Sequence, residues 1–218
     1  MQRSFDILLS FIALVILSPL LIIISLILKL SGEHEIFYRQ ARIGKNGKLF
    51  HLLKFATMLK NSPNIGAGEI TIKNDPRVLP FGKFLRKSKI NEFPQLWNIL
   101  IGEMSIVGPR PMVPDTFAKY DHTAKSFLNT VRPGLTGIGS IIFRDEERLL
   151  ENTSDARDFY DNHIIPFKSE LEIWYIKNLS FTLYLKCIII TAWVVIFPNS
   201  SLHLNLFDDL PEIPENLR

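Results

Sequence analysis

The feature that most constrains this chain is an uninterrupted apolar stretch near its N-terminus. From Ile7 to Leu28 every residue is apolar, Ser or Pro, and none is charged. As a helix, this stretch is about as long as the ~30 Å hydrocarbon layer of a bilayer is thick. A cleaved signal peptide fits less well, because the apolar core is too long and no small-x-small cleavage site follows it. The sequence therefore predicts a retained membrane segment.

Ser18-Pro19 interrupts the apolar stretch near its middle. Proline removes one intrahelical hydrogen bond and clashes with the preceding turn, so it kinks or ends a helix. Two arrangements follow: a kinked span, or a re-entrant hairpin that returns to the face it entered. From the residues alone the kinked span is favoured, because proline is common in membrane helices.

Positive charge is concentrated in the segments after the apolar stretch. Residues 29–60 contain seven Lys or Arg against two Glu, and residues 73–89 contain six against one Asp. Basic segments beside a membrane helix usually stay cytoplasmic and are attracted to anionic lipid headgroups. No known nucleic-acid motif accompanies them, so nucleic acid is not an expected partner. The single cysteine, Cys187, excludes a disulfide within the chain and fits a reducing compartment.

The remaining pattern predicts an α+β fold that is mainly helical, with one small β-hairpin. The hairpin spans residues 35–55 around the turn sequence Gly-Lys-Asn-Gly at 44–47. A short strand is predicted at 69–73, and Asn91 is suited to cap a helix over 92–100. Further helical patterns cover 79–87, 112–130, pieces of 145–172, and 181–197, the last as an interfacial or packed helix. The acidic tail from residue 208 is expected to be loosely ordered.

The run from Arg86 to Pro111, RKSKINEFPQLWNILIGEMSIVGPRP, has the residue types that bind a phosphate ester. Glu92 is placed in the first turn of the predicted helix, where a carboxylate is favoured whether or not it is functional. Arg86 and Arg110 are candidates for bidentate phosphate contacts, and Arg110 stands between two prolines. Arg77 and Lys54 are weaker candidates that equally suit lipid contacts or a solvated surface. The five histidines have no metal-ligand spacing.

Several blocks, in the same order along the chain, resemble the bacterial sugar transferase family, the monotopic phosphoglycosyltransferases. The resemblance runs from about Arg3 to Lys186. Its blocks are RSFDILLS, the Ser18-Pro19 break, FYRQARIG (37–44), KFATM (54–58), the run 74–111, VRPGLTG (131–137) and YIKNLSFTLYLK (175–186).

The resemblance implies transfer of a phospho-sugar from a UDP-sugar to undecaprenyl phosphate or a similar carrier, with Mg²⁺ and release of UMP, at the start of glycan assembly. It also implies that residues 1–30 form a re-entrant helix-break-helix, which replaces the kinked span as our expectation. Residues 31–200 would then be a catalytic domain with interfacial helices on the cytoplasmic face of the bacterial inner membrane, followed by an acidic tail, 201–218. Membrane lipids are expected partners, and a homo-oligomer is left open.

The family's catalytic pair is Asp-Glu, in which the Asp attacks a phosphate covalently and the Glu assists. By position, Glu92 is the Glu, Arg86 and Arg110 match phosphate-binding arginines, and Asn91 replaces the nucleophilic Asp. A neutral amide is a poor nucleophile and at most a weak Mg²⁺ ligand beside Glu92. Three hypotheses follow: direct attack by the carrier phosphate, Glu92 as the nucleophile, or a catalytically lapsed carrier-lipid binding or interaction module.

Two smaller departures accompany this one. Ala56 stands where the family usually has a basic residue, and Tyr184 stands where it usually has Asp.

Overall fold

Helices make up most of the secondary structure in the computed structural model, which describes residues 1–65, 75–144, 149, 156–197, 206–207 and 209–217. The chain divides into two units. The large unit comprises residues 1–6, 41–50 and 102–218, and the small unit comprises residues 7–40 and 51–101. The predicted α+β class with a long apolar N-terminal helix is confirmed. The predicted boundaries at 30 and 200 stay predictions.

Helix α1 extends without interruption from Gln2 to Leu30 and includes Pro19. The predicted helix-break-helix is therefore wrong as a break in helical structure. The Ser18 hydroxyl donates to the Val15 carbonyl at 2.8 Å, a bond inside the turn that proline perturbs. Only 11% of the most apolar window of α1 is buried, and the helix is long and apolar enough to cross a membrane by length and composition. Whether the chain returns to the face it entered stays a prediction.

The predicted hairpin is confirmed. Strands β1 (Phe37–Ile43) and β2 (Leu49–Phe55) pair in a two-stranded sheet. The connection is a 3₁₀ turn over Lys45–Gly47, in which Asn46 and Gly47 adopt positive φ of 60° and 69°. Asn and Gly tolerate this left-handed conformation better than other residues, which is why this sequence turns here.

The small unit continues with α2 (Pro80–Lys87), a 3₁₀ turn (Ile90–Glu92) and α3 (Gln95–Ile101). Its core contains Ile24, Leu28, Phe55 and Leu85. The predicted helix over 92–100 is observed as α3, which begins three residues later than predicted, at Gln95. Asn91 therefore lies within the 3₁₀ turn and does not cap α3. The N–H groups of Glu92 and Phe93 bond three residues back, at 3.1 Å each, and Pro94 has no N–H to start an α-helical ladder.

The large unit contains the parallel strands β3 (Ser105–Val107) and β4 (Gly134–Thr136), with Ser105 opposite Gly134. The crossover between them holds α4 (Pro114–Lys119) and α5 (His122–Leu128), where the sequence predicts one helical pattern. The pattern is divided because Asp121 caps α5, accepting from the Ala124 N–H at 2.6 Å.

Several helical segments follow β4 in the large unit. They are α6 (Ile138–Ile142), α7 (Ala156–Phe159), a π-helical turn (Tyr160–Ile164) that leads into α8 (Ile165–Lys177), and α9 (Phe181–Ile196). One face of α9 is buried. Other side chains of the same helix, those of Ile189, Val195 and Ile196, are each more than 60% exposed. Phe207 and Leu217 pack into the main core, so the described part of the tail is not loosely ordered. The predicted strand at 69–73 lies outside the described residues. Of the helical pieces predicted within 145–172, those over 156–172 are confirmed, and residues 145–148 and 150–155 lie outside the described residues.

Asp6, in the second turn of α1, is a buried acid of the large unit with only 2% of its surface exposed. Its carboxylate accepts from the Tyr184 hydroxyl at 2.9 Å, from the Ile106 N–H at 2.9 Å and from the Ser105 hydroxyl at 2.9 Å. Three donors are what a buried carboxylate requires to offset its lost hydration. Tyr184, the departure noted in the sequence, is therefore one of the three donors to Asp6.

Candidate active site

Lys54 and Glu92 are the two predicted site residues that the small unit brings into contact. The Lys54 Nζ lies 3.5 Å from the Glu92 Oε1, and the two side chains are 18% and 21% exposed. Lys54 is at the end of β2 and Glu92 closes the 3₁₀ turn, so strand and turn together set the pair. A half-buried cation beside a carboxylate is a suitable environment for an anionic substrate.

Asn98 holds the strand that carries Lys54. The Leu53 N–H donates to the Asn98 Oδ1 at 3.0 Å, and the Asn98 Nδ2 donates to the His51 carbonyl at 2.9 Å. Asn98 is 1% exposed. Both ends of the amide are therefore used to fix β2 against α3. Sequence reasoning missed this residue, although an amide at an inward position of an apolar helix was a signal available in the sequence.

Asn91 is buried, at 6% exposure, and its Oδ1 has no hydrogen-bond partner among the described residues. A buried amide oxygen without a donor is uncommon in folded proteins. The preceding turn is unusual as well, because Lys89 has a positive φ of 58°. Asn91 thus presents an acceptor, and no nucleophile, directly beside Glu92.

Arg86 is half-buried on α2, where its Nη1 lies 3.6 Å from the Met58 Sδ. The helix that carries it lies against the strand end: the Leu79 N–H donates to the Thr57 carbonyl at 3.0 Å. A Cβ at Gly82 would lie 2.2 Å from that same carbonyl oxygen, so only glycine allows the approach. A thioether is a weak acceptor. Arg86 makes no ion pair within the described part of the chain.

Arg77 is placed differently from the other candidates. It is 4% exposed, and its Nε donates to the Asp75 carboxylate at 2.8 Å. Its Nη1 donates to the Ser62 carbonyl at 2.8 Å and to the Ile65 carbonyl at 2.9 Å. These contacts tie Arg77 to Asp75 and to the backbone of Ser62 and Ile65, which gives it a structural role. Its predicted contact with substrate stays a prediction that no contact of the structure supports.

Arg110 belongs to the large unit, where its side chain is exposed at the elbow Gly108–Pro111. The elbow is held by backbone bonds, from the Gly108 N–H to the Thr136 carbonyl at 2.9 Å and from the Gly134 N–H to the Pro109 carbonyl at 2.7 Å. A Cβ at Gly134 would lie 2.1 Å from the Gly108 nitrogen, so the two strand ends touch backbone to backbone. The arginine is thus displayed from a rigid segment.

Glu172 on α8 lies under this elbow and was missed by sequence reasoning. It is 3% exposed, and its Oε2 has no hydrogen-bond partner among the described residues. Burial raises the pKa of the Glu172 carboxyl to about 7, against the opposing effects of the Arg110 backbone N–H and the nearby Lys168. A buried acid with a raised pKa has no reliable sequence signature.

The side-chain oxygens of Glu92 and Asn91 are suitable ligands for a hard divalent cation. Mg²⁺ binds through one or two carboxylates together with substrate phosphates and water. Glu92 supplies a carboxylate, and the Asn91 Oδ1 is an acceptor that meets no donor among the residues the structure describes. No cluster of three or more His, Cys, Asp or Glu occurs in the described ranges, so these residues would hold Mg²⁺ only together with substrate oxygens. The roles of Glu92, Asn91, Arg86, Arg110 and Lys54 stay predictions.

Comparison with known proteins gives one consistent result. The sequence profile described as bacterial sugar transferase matches residues 1–198. The exopolysaccharide production protein ExoY of Sinorhizobium fredii is 43% identical over 159 residues, which are 66% of this chain and 70% of that protein.

Two longer proteins are also similar to this chain. The undecaprenyl-phosphate galactose phosphotransferase of Salmonella typhimurium is 33% identical over 192 residues, 82% of this chain and 37% of that protein. The undecaprenyl-phosphate glucose phosphotransferase of Komagataeibacter xylinus is 33% identical over 205 residues, 92% of this chain and 36% of that protein. The chain thus spans little more than a third of these two relatives.

Proposed function

The chain belongs to the bacterial sugar transferase family, and on that premise we propose that it transfers a sugar 1-phosphate from a UDP-sugar to undecaprenyl phosphate or a similar polyprenyl phosphate. Relatives whose names state this transfer support the proposal. Exopolysaccharide relatives support a place at the start of glycan assembly. The observation that carries the proposal is the Lys54–Glu92 contact beside the orphaned Asn91 oxygen.

We propose direct transfer, without a covalent sugar-phosphate enzyme. Asn91 has no ionisable oxygen to attack phosphorus. Instead an oxygen of the polyprenyl phosphate attacks the β-phosphorus of the UDP-sugar and forms the new P–O bond. The bond from that phosphorus to the bridging oxygen breaks, and UMP leaves with the electron pair. Glu92 orients the reactants, Lys54 offsets phosphate charge, and Asn91 accepts a hydrogen bond or binds the cation.

Mg²⁺ is the proposed cofactor, held by Glu92 with the Asn91 oxygen and substrate phosphates. When bound, it neutralises charge on the pyrophosphate oxygens. Arg86 and Arg110 are proposed phosphate ligands, since guanidinium groups bind phosphate in a bidentate manner.

The apolar, exposed α1 associates the protein with a membrane, and its lipids and carrier are the proposed partners. We place the catalytic residues on the cytoplasmic face of the bacterial inner membrane, because Lys and Arg follow α1 so densely.

The test is UMP release by the full chain in membrane vesicles, with undecaprenyl phosphate, Mg²⁺ and one of three donors: UDP-glucose, UDP-galactose or UDP-N-acetylgalactosamine. We expect turnover with at least one donor, a loss of about a hundredfold or more in Glu92→Gln, and a smaller loss in Lys54→Met. Glu33→Gln, which removes an exposed acid after α1, is the matched control and should leave the rate unchanged.

The same experiment separates the alternative of a lapsed binding module. Retention of undecaprenyl phosphate without UMP release from any donor would favour that module and contradict the proposed transfer. UMP release that persists in Glu92→Gln would contradict the assigned site while leaving the activity intact.

A further inference from the structure

The carboxyl of Glu172 is enclosed by the backbone of two other segments. The Arg110 N–H donates to it from the elbow. On the other side, a Cβ at Gly139 of α6 would lie 2.5 Å from the Glu172 Oε1. The carboxyl therefore fills the space between the elbow and α6, and a side chain at position 139 would displace it.

The Glu172 Oε2 is buried without a hydrogen bond in the described part of the chain. Leaving a charged oxygen in that state is costly, whereas a protonated acid leaves only a neutral hydroxyl there. The geometry therefore favours the neutral acid, which still accepts the Arg110 N–H through its carbonyl oxygen.

In the described part of the chain, the titratable groups that face Glu172 lie on its own helix and on α9. Lys168 and Tyr175 are on its own helix, and Cys187 approaches from α9. Helix α6 carries no titratable side chain. On the elements packed against α8, Lys125 donates to the Ala118 carbonyl and Asp161 pairs with Lys119. His122 of α5 and His163 of the π-helical turn are exposed.

We propose that Glu172 is a positioning residue for Arg110, whose neutral carboxyl seats the elbow and whose ionisation loosens it. The backbone nitrogen of Arg110 is held from below while its side chain is exposed for a phosphate. Ionisation places an uncompensated charge on the buried Oε2, and opening the elbow to water relieves it. The proposal rests on the proposed function only in naming the phosphate of a UDP group as the ligand.

The first test measures amide hydrogen exchange in the segment Gly108–Met112 of the full chain in vesicles. Pro109 and Pro111 have no N–H, so Arg110 contributes one of only three exchanging amides there. At about pH 6 we expect Glu172→Gln, which keeps a carbonyl acceptor and stays neutral, to match the wild type. Glu172→Leu, which has no acceptor, should lose about tenfold protection. At about pH 8.5 the wild type should fall below Glu172→Gln.

The control is Glu170→Gln, which removes an exposed acid from the same helix. It should match the wild type at both pH values. Equal protection in the wild type and Glu172→Leu would overturn the proposal, and so would protection in Glu172→Gln that falls with pH as it does in the wild type. This measurement needs no turnover, so it stands even if the proposed function fails.

The second test is a double-mutant cycle on UDP binding with Glu172→Gln and Arg110→Ala at about pH 8.5. If Glu172 acts through Arg110, Glu172→Gln strengthens UDP binding about threefold or more in the Arg110 background and has no effect in the Arg110→Ala background. Equal effects in both backgrounds would show that Glu172 acts on the fold alone. A wild type that does not bind UDP counts against the proposed function, and the exchange result then decides the role of Glu172.

Discussion

The Asn98 side chain bonds to the backbone of Leu53, 45 residues away in sequence, at 3.0 Å. With its second bond, to His51, it fixes the strand from which Lys54 reaches Glu92. Asn98, which is not one of the predicted substrate-binding residues, therefore contributes to the geometry of the candidate site by fixing β2.

Replacing Asn98 with Leu should lower both stability and activity. The substitution keeps the volume but leaves the Leu53 N–H and the His51 carbonyl without partners, at a cost of about 1–3 kcal/mol. We expect a lower unfolding midpoint, and a UMP-release rate that falls even at temperatures where the variant is folded. Asn178→Leu, which changes an exposed amide at the end of α8, is the control. An Asn98→Leu enzyme of normal rate would show that β2 needs no such clamp.

The Asp6 site should tolerate loss of one donor better than loss of its acceptor. Tyr184→Phe removes one of three donors and should destabilise the protein by about 1 kcal/mol. Asp6→Leu leaves the Tyr184 and Ser105 hydroxyls and the Ile106 N–H unsatisfied and should cost several times more. Thermal unfolding in detergent measures both, with Tyr160→Phe as the matched control. Equal effects of the two substitutions would contradict this hydrogen-bond account.

Arg77 should prove structural. Arg77→Met leaves the buried Asp75 carboxylate, 3% exposed, without its guanidinium and should destabilise by about 3–5 kcal/mol. The double variant Arg77→Met with Asp75→Leu should recover much of that loss, because no unpaired charge is left. UDP affinity of the folded double variant is expected to equal that of the wild type. A tenfold weaker affinity there would instead support the predicted substrate contact.

Glu172 should make stability depend on pH. Its pKa is raised from the ordinary value of 4.5 to about 7 in the folded chain. Its contribution to stability is therefore fully present below pH 4.5 and is lost as the pH rises through 7, by about 3 kcal/mol in all. Glu172→Gln should flatten this part of the stability–pH curve, measured by chemical unfolding. A curve for Glu172→Gln parallel to that of the wild type would show that other groups cause the slope.

Asn91→Asp should change the route of transfer. The wild type is expected to release no UMP when undecaprenyl phosphate is omitted, because it forms no covalent intermediate. A carboxylate at this position supplies the nucleophilic Asp that the family pattern has there. The variant should therefore release about one equivalent of UMP per protein when undecaprenyl phosphate is absent. Rapid-quench kinetics and intact-protein mass measure this. A stoichiometric burst from the wild type would contradict direct transfer and assign the nucleophile to Glu92 or another side chain.

Local patterns predicted the local parts of this structure. The turn at Asn46-Gly47 placed the hairpin, and the uncharged run from Ile7 placed α1. The helix at Glu92 was misplaced because the pattern of apolar residues does not distinguish a 3₁₀ turn before Pro94 from an α-helical first turn.

The roles that depend on distant contacts could not be predicted. Asn98 acts on a strand 45 residues earlier, and Tyr184 acts on Asp6, 178 residues earlier. The sequence suited Arg77 to the surface as well as to a substrate contact, yet Arg77 is buried and pairs with Asp75, two residues earlier. The sequence alone does not distinguish an arginine that binds a phosphate from one that pairs with a carboxylate.

The three hydrogen bonds to Asp6 also restrict membrane topology. They attach the start of α1 to β3 and α9, so the amino end of this apolar helix and the folded large unit lie on the same side of any bilayer. Insertion of α1 cannot carry its first turn across the membrane without breaking all three bonds. We therefore expect the polar end of α1 at Asp6 to remain outside any lipid that the apolar helix enters, which limits the depth of its insertion.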